Sequence, residues 1–533
     1  MALIGYLVVG LVPLCVFLVL RNFRIFISWH DHGEAYGCSP LRMIPNSLLL
    51  PLGIDKLKKS LVAERKRKFP NLMLSDHELY GDNYGQYAGG QFIILTRDPR
   101  NISAILSKQF AHFEYGPVRH GCFSALLGSG IFTNDGHEWA TSRRLLAPIF
   151  HKPHFPHLDI LEQHVQSFFG AIRKAMENGK SVDLKPLIYS FTLDTSTEFL
   201  LGKSTNMLNQ DSQNDQAKTF FRAFNTGLEY TATRERFKAF YWLVNPAEFR
   251  EACRTAQGTL KDMIQDSLRS SDEVKARSAL QDIFEKMGED LDKTRDEVCN
   301  ILFAGRDSTA SLLCWIFFTL AREPRVFQKL RKEVLEKLGD GSNYQITDRD
   351  LYEMTYLDNV INETLRLFPA VPLNGRVCAR TTTLPSGGGV KGQDPIYVPK
   401  GTLICYSTYA LQRSEGAYGK TAGQFIPERW EEDSVVMRTR DWTFHPFNGG
   451  PRKCLGGQSM QDRLSKVEAD IFAEQYALKL AKYTLCRFIQ QFSNIEAPDY
   501  PPGSTADWQE DIKYQIGLTM APDDGVWTKL ALS

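Results

Sequence analysis

The sequence predicts a mainly helical body with a minor β region (α+β), set behind an N-terminal membrane-spanning helix. Three observations carry this prediction. Ala2 to Leu20 is an uncharged apolar run, about the length that crosses a hydrocarbon core. Residues 101–370 read mainly as apolar patterns of helical period, punctuated by prolines. The β signals are few and short, bounded by glycines or Asp-Pro. The chain has 533 residues, 43% of them hydrophobic, without an internal repeat or a long Gly/Ser or Pro-rich linker in its main part. One large globular unit is therefore expected.

Taken in order, the N-terminal run contains Pro13, which a membrane helix tolerates, and is followed at once by Arg21 and Arg24. Positive charge on that side places the body in the cytosol. A cleaved signal peptide would instead carry basic residues upstream and end in a small-residue cleavage site. The predicted organisation is an anchor over 1–24, a proline-containing connector over 25–60 and the body over 61–533. Lys56, Lys58, Lys59, Arg65, Lys66, Arg67 and Lys68 form a basic run. It reads as a solvated helix face or as contact with anionic lipid. Lys plus Arg number 63 and Asp plus Glu 62, a balance that argues against nucleic acid as a partner. The ten cysteines lack zinc and thioredoxin spacings. Nothing suggests a dense disulfide framework, which points to a reducing compartment. The sequons at Asn101 and Asn362 are read as chance occurrences.

Gln91 to Thr96 is predicted as a strand. The longest helix is expected to start at Thr294, where Thr294 and Glu297 have capping-box spacing, and to run to Leu320 before Pro324. A second helix carries Phe327, Leu330, Val334 and Leu338 on one face. A third runs through Leu357, Val360, Ile361 and Leu365 and stops at Pro369. Ser386 to Gly389 is expected to be a hairpin turn before the strand ending at Val398, since no Lys-Ser/Thr and helix follow it as a phosphate cradle requires.

The most informative stretch is Phe447-Asn448-Gly449-Gly450-Pro451-Arg452-Lys453-Cys454-Leu455-Gly456. Its glycines let backbone approach a flat ligand closely. A thiolate at the start of a following helix is favoured by exposed N–H groups and the helix dipole. Glu363 and Arg366 are three apart and share a helix face. Pro427-Glu428-Arg429-Trp430 follows later. Ala304-Gly305-Arg306-Asp307-Ser308-Thr309 puts glycine and polar residues in the middle of an apolar helix, which propensity disfavours and function would explain. Trp139 and Arg143, four apart, share one helix face.

Together these motifs resemble the cytochrome P450 superfamily of haem-thiolate monooxygenases. The Phe-x-x-Gly-x-Arg-x-Cys-x-Gly pattern resembles its haem-binding loop, with Phe447, Gly450 and Arg452 beside the cofactor. The resemblance implies Cys454 as the axial ligand to the iron of haem b (iron protoporphyrin IX). It implies Glu363, Arg366 and Arg429 as a structural network. It implies Trp139, Arg143, Arg376 and Arg452 as propionate-binding groups. It also implies an acid followed by an alcohol as a proton relay. The acid is Asp307. The alcohol is Ser308 or Thr309, because the family more often has Thr directly after the acid. The resemblance covers roughly residues 35–530. Its details, including residues 130–136 and 371–374, look most like the fungal and yeast branch that hydroxylates n-alkanes and fatty acids. It implies insertion of one oxygen atom from O2 into a C–H bond of a hydrophobic substrate. An NADPH-dependent reductase is the implied electron donor, because the chain lacks a dinucleotide fingerprint. The expected location is the endoplasmic reticulum membrane, in contact with its lipid.

One departure stands out. In the family the loop runs directly into a helix, whereas here Gly457 to Ala473 intervene before Glu474-Gln475-Tyr476-Ala477-Leu478. The segment is read as an insertion or an unspliced intron. The alternative is a longer helix with Met460, Leu464, Val467 and Ile471 on its apolar face. Two further functional readings follow: a haem-thiolate isomerase or dehydratase, and a haem-binding relative impaired by the insertion.

Overall fold

The computed structural model describes residues 16, 20, 33–45, 53–88, 90–150, 158–177, 179, 181–209, 215–271, 278–341, 344–432, 435–456, 476–500 and 508–533. The predicted anchor (apart from Val16 and Leu20), part of the connector and the suspected insertion at 457–473 lie outside the described residues. The chain divides into two compact units, each assembled from separate stretches: 1–116, 371–424 and 438–453 in the first, and 117–370, 425–437 and 454–533 in the second.

The first unit holds the sheets that position the cysteine loop. Its strands are β1 (Asn83–Ala88), β2 (Gln91–Thr96), β3 (Phe113–Glu114), β4 (Asn374–Cys378), β5 (Thr382–Gly388), β6 (Asp394–Val398) and β7 (Leu403–Tyr406). Five of them form a mixed sheet in the order β1-β2-β7-β4-β3. β1 and β2 form an antiparallel pair closing at Ala88↔Gln91. β2 runs parallel to β7 with Ile93 opposite Leu403, a pairing between residues far apart in sequence. Ile94, Ile404 and Tyr406 are fully buried in its core. β5 and β6 form the expected hairpin. The strand continues through Gly388, and the turn lies at Gly389 to Gly392, both with positive φ. The described part of the predicted connector is tied into this unit. Leu41 bridges Gly388 and Met43 bridges Gly85, and Leu41 and Ile44 are buried. Helices α1 (Ile54–Arg65) and α2 (Phe69–Tyr80) follow. The sequon residue Asn101 is buried and its amide donates to Asn83 Oδ1 and to the Ser386 carbonyl, so it offers no free acceptor for a glycan.

The second unit is helical. Its main helices are α3 (Gly136–Phe150), α4 (Leu158–Glu177), α5 (Leu184–Leu201), α6 (Asp215–Phe237), α7 (Ala247–Leu268), α8 (Leu291–Leu320), α9 (Pro324–Leu338), α10 (Thr355–Leu367) and α11 (Tyr476–Gln491). α9 and α10 match the predicted second and third helices. α8 starts earlier than expected. Asp290 is its N-cap, accepting hydrogen bonds from Asp292 N and Lys293 N, a role in which aspartate is strong. Thr294 lies one turn inside, donating its hydroxyl back to the Asp290 carbonyl at 2.7 Å. Glu297 accepts from Ile131 N instead of closing a capping box. Among the described residues α8 alone is long and apolar enough to cross a membrane, and it is mostly buried, as a core helix is. Its far half is pinned by Ser311 Oγ and Trp315 Nε1, both donating to the Met520 carbonyl. Trp315 also stacks on Phe368 with ring centroids 4.2 Å apart. α11 is docked by two buried lysines, Lys479 to Asp348 at 2.6 Å and Lys482 to Asp358 at 2.8 Å.

Candidate active site

In the first unit the loop 444–453 is shaped by close backbone approach. Gly450 has φ +65°, and a Cβ there would sit 1.8 Å from the Leu106 carbonyl oxygen, so glycine is required. At Gly449 a Cβ would sit 2.5 Å from the Trp442 ring. Asn448, also at positive φ, accepts the Tyr406 hydroxyl at 2.8 Å. His445 is buried, with one ring nitrogen 3.2 Å from Thr408 Oγ1 and the other 3.1 Å from the Trp442 carbonyl. Burial, opposed by the bond to Trp442, lowers its pKa to about 4. Phe447 is half-buried. Arg376 on β4 and Arg452 are both buried and gather on one ring, their Cζ atoms 4.2 and 4.5 Å from the Tyr115 centroid. Two guanidinium groups gathered on one ring suit an anionic partner.

In the second unit Cys454 is the exposed thiol; the other described cysteines are buried. Burial raises the pKa of Cys38, Cys299 and Cys314, and that of Cys122, Cys253 and Cys378 to about 12, which keeps them inert thiols. Arg143 on α3 is half-buried. Burial lowers its pKa, and the charge of Cys454 opposes that shift. Arg143 therefore lies close enough to favour a thiolate. Trp139, one turn before it on α3, is buried.

α8 runs unbroken through the point where its sequence turns polar. Of residues 297–320, only Ala304, Gly305 and Ser308 escape full burial. Their spacing places them on one side of the helix. Ser308 donates its hydroxyl to the Ala304 carbonyl at 2.6 Å. Thr309 is completely buried and its hydroxyl has no hydrogen-bond partner. Asp307 is buried and accepts from Arg306 Nη1 at 3.0 Å. Burial raises its carboxyl pKa and Arg306 opposes the shift.

Glu363, Arg366 and Arg429 meet in the same unit. Arg366 grips the Glu363 carboxylate in bidentate fashion, Nε to Oε2 and Nη2 to Oε1, each at 2.8 Å. Arg429 Nε lies 3.4 Å from Oε1. The sequence reading did not assign two further donors to this carboxylate, Ile426 N at 2.8 Å and Trp430 Nε1 at 3.1 Å.

A family model described as Cytochrome P450 matches residues 58–472. This chain belongs to the cytochrome P450 family. It is 39% identical over 457 residues, 82% of each chain, to "Cytochrome P450 52A13" of Debaryomyces hansenii. It is 40% identical over 450 residues to "Cytochrome P450 52A5" of Candida maltosa, covering 81% of this chain and 80% of that one. Over 554 aligned positions, 99% of each chain, it is 34% identical to "Cytochrome P450 monooxygenase alt2" of Alternaria solani. The enzyme class is thus cytochrome P450 monooxygenase, and the family's cofactor is haem b.

The residues present fit that cofactor. Each unit carries groups of the kind the cofactor needs: in the first, the close glycine backbone of 449–450 and buried Arg376 and Arg452; in the second, exposed Cys454 with the Arg143 cation nearby. Sequence reasoning missed Tyr115, Asn448 and His445. Tyr115 reaches the two arginines from outside the motif, whereas His445 and Asn448 lie in the loop itself, Asn448 at a variable position of the quoted motif. It also passed over Arg306, although the residue stood inside the quoted α8 motif.

Proposed function

We propose that this chain is a membrane-anchored monooxygenase that places one oxygen atom from O2 into a C–H bond of a long-chain alkane or fatty acid. The observation that supports it best is the polar stretch in the middle of α8, where buried Asp307 directly precedes Ser308, which with Ala304 and Gly305 is not fully buried within residues 297–320. When bound, a thiolate-ligated haem would supply the oxygen-activating chemistry. In this reading Cys454 would hold the iron, and Arg143 favours its ionised form. Trp139, Arg143, Arg376 and Arg452 would hold the propionates, while Phe447 and Gly450 shape the loop. Asp307, ionised at rest, takes up a proton and passes it to Ser308 Oγ, while Ser308 releases its own hydroxyl proton on the Ala304–Gly305 side. The bond from Ser308 to the Ala304 carbonyl keeps that hydroxyl oriented on the Ala304–Gly305 side. Ser308 is preferred over Thr309, whose hydroxyl is sealed in the core. Glu363, Arg366 and Arg429 act on structure alone.

Electrons are assigned to a separate NADPH-dependent reductase. The lipid substrate class is supported by similarity to the yeast relatives and by the apolar N-terminal run. Membrane contact is supported by α1, where Leu57, Leu61 and Val62 are exposed among lysines. The proposed location is the endoplasmic reticulum membrane with the body in the cytosol. The test incubates the full chain in membranes with reductase, NADPH and labelled O2, against alkanes and fatty acids of several lengths. The expected product gains one labelled oxygen only when NADPH is present. Turnover without NADPH, or without label, would support the isomerase or dehydratase reading instead.

A further inference from the structure

We infer that Arg306 is a positioning residue that keeps the Asp307 carboxylate ionised and aimed, with Tyr189 and Phe221 clamping the guanidinium in that role. The inference rests on the reading of Asp307 as the proton-delivering acid. Consecutive residues of a helix do not face each other, so helix geometry alone does not bring Arg306 to Asp307. The side chain is turned back by its surroundings. Its Cζ lies 5.0 Å from the Phe221 ring of α6 and 5.4 Å from the Tyr189 ring of α5. Arg306 is only 2% exposed and its Nε has no hydrogen-bond partner. A guanidinium buried with so few acceptors is costly, and rings on two other helices hold it where it meets a single carboxylate oxygen.

The groups facing Asp307 are few. Arg306 comes from α8 itself, the Tyr189 phenol from α5, and apolar Phe221 from α6 packs on Arg306. Among the described residues Arg306 is the cation that acts on Asp307. Burial favours the neutral acid, and Arg306 counters it. An ionised resting carboxylate is the form that can take up the next proton, which it then hands to Ser308.

The test compares the wild-type holoenzyme with Arg306→Gln, Arg306→Lys and Asp307→Asn. Two readouts are followed across pH: product formed per NADPH consumed, and the infrared carboxylic C=O band that Asp307→Asn removes. In Arg306→Gln the pH at which that band disappears should rise by about 1–3 units, and the rising limb of the coupling profile should move with it. Arg306→Lys should fall between the two, and it serves as the test if the glutamine variant does not fold. An infrared titration and coupling profile unchanged in the folded Arg306 variants, while Asp307→Asn is crippled, would overturn the inference and leave the relay reading standing. Wild-type coupling in Asp307→Asn would overturn both.

Discussion

Two buried acid–arginine pairs lie in the helical unit, and they are built differently. Glu363 is met by Arg366 through two bonds of 2.8 Å, by Arg429, by the Trp430 indole and by the Ile426 amide. Asp307 is met by Arg306 through one bond of 3.0 Å, and Arg306 keeps an unpartnered Nε. A fully satisfied ionic network rigidifies, because every charge has its partners. A thinly satisfied pair leaves a carboxylate whose proton is free to exchange. The proposed reading assigns the first arrangement to structure and the second to proton delivery.

The comparison breaks first at Glu363. Glu363→Ala would leave two arginines uncompensated, so a loss of about 3–5 kcal/mol is expected, read as lost folded, haem-loaded protein on expression. Asp307→Asn still offers Arg306 an acceptor. It should cost only about 1–3 kcal/mol of stability while lowering turnover by about 10²-fold or more, so thermal unfolding and kcat should part company. If Asp307→Asn unfolds the protein as Glu363→Ala does, the distinction between the pairs fails.

Smaller changes sharpen it. Ser308→Ala should lower product per NADPH by roughly tenfold or more. Thr309→Val replaces a buried unsatisfied hydroxyl and should change stability by about 1 kcal/mol or less, with coupling intact. The reverse ranking would move the relay to Thr309. The smallest effect concerns His445. Its folded pKa of about 4 lies below the ordinary value of about 6.5. The stability it contributes is therefore present above about pH 6.5 and is lost as pH falls toward 4. His445→Gln should flatten the acid slope of the thermal midpoint across that window.

Much of this was legible beforehand because periodicity and motif spacing are local. The helices around Leu330 and Val360, the strand at 91–96 and the hairpin after Ser386 all follow from nearest neighbours. The parallel pairing of Ile93 with Leu403 does not, since nothing local encodes a partner so distant. The start of α8 was misplaced because Thr294 and Glu297 mimic a capping box while Asp290 performs the capping. Arg306 was missed because its role comes from Tyr189 and Phe221, which approach from two other helices. The proposed preference for Ser308 over Thr309 draws on burial, which adjacent residues of similar chemistry do not reveal.

The most direct test of the central claim is the reduced carbon-monoxide difference spectrum of the full chain, of Cys454→Ser and of the chain lacking 457–473. A thiolate-type Soret band confined to the shortened chain would keep Cys454 as ligand and assign the impairment to that segment. The account predicts the band in the full chain and its loss in Cys454→Ser. A band that survives Cys454→Ser, or is missing from both the full and shortened chains, would contradict it.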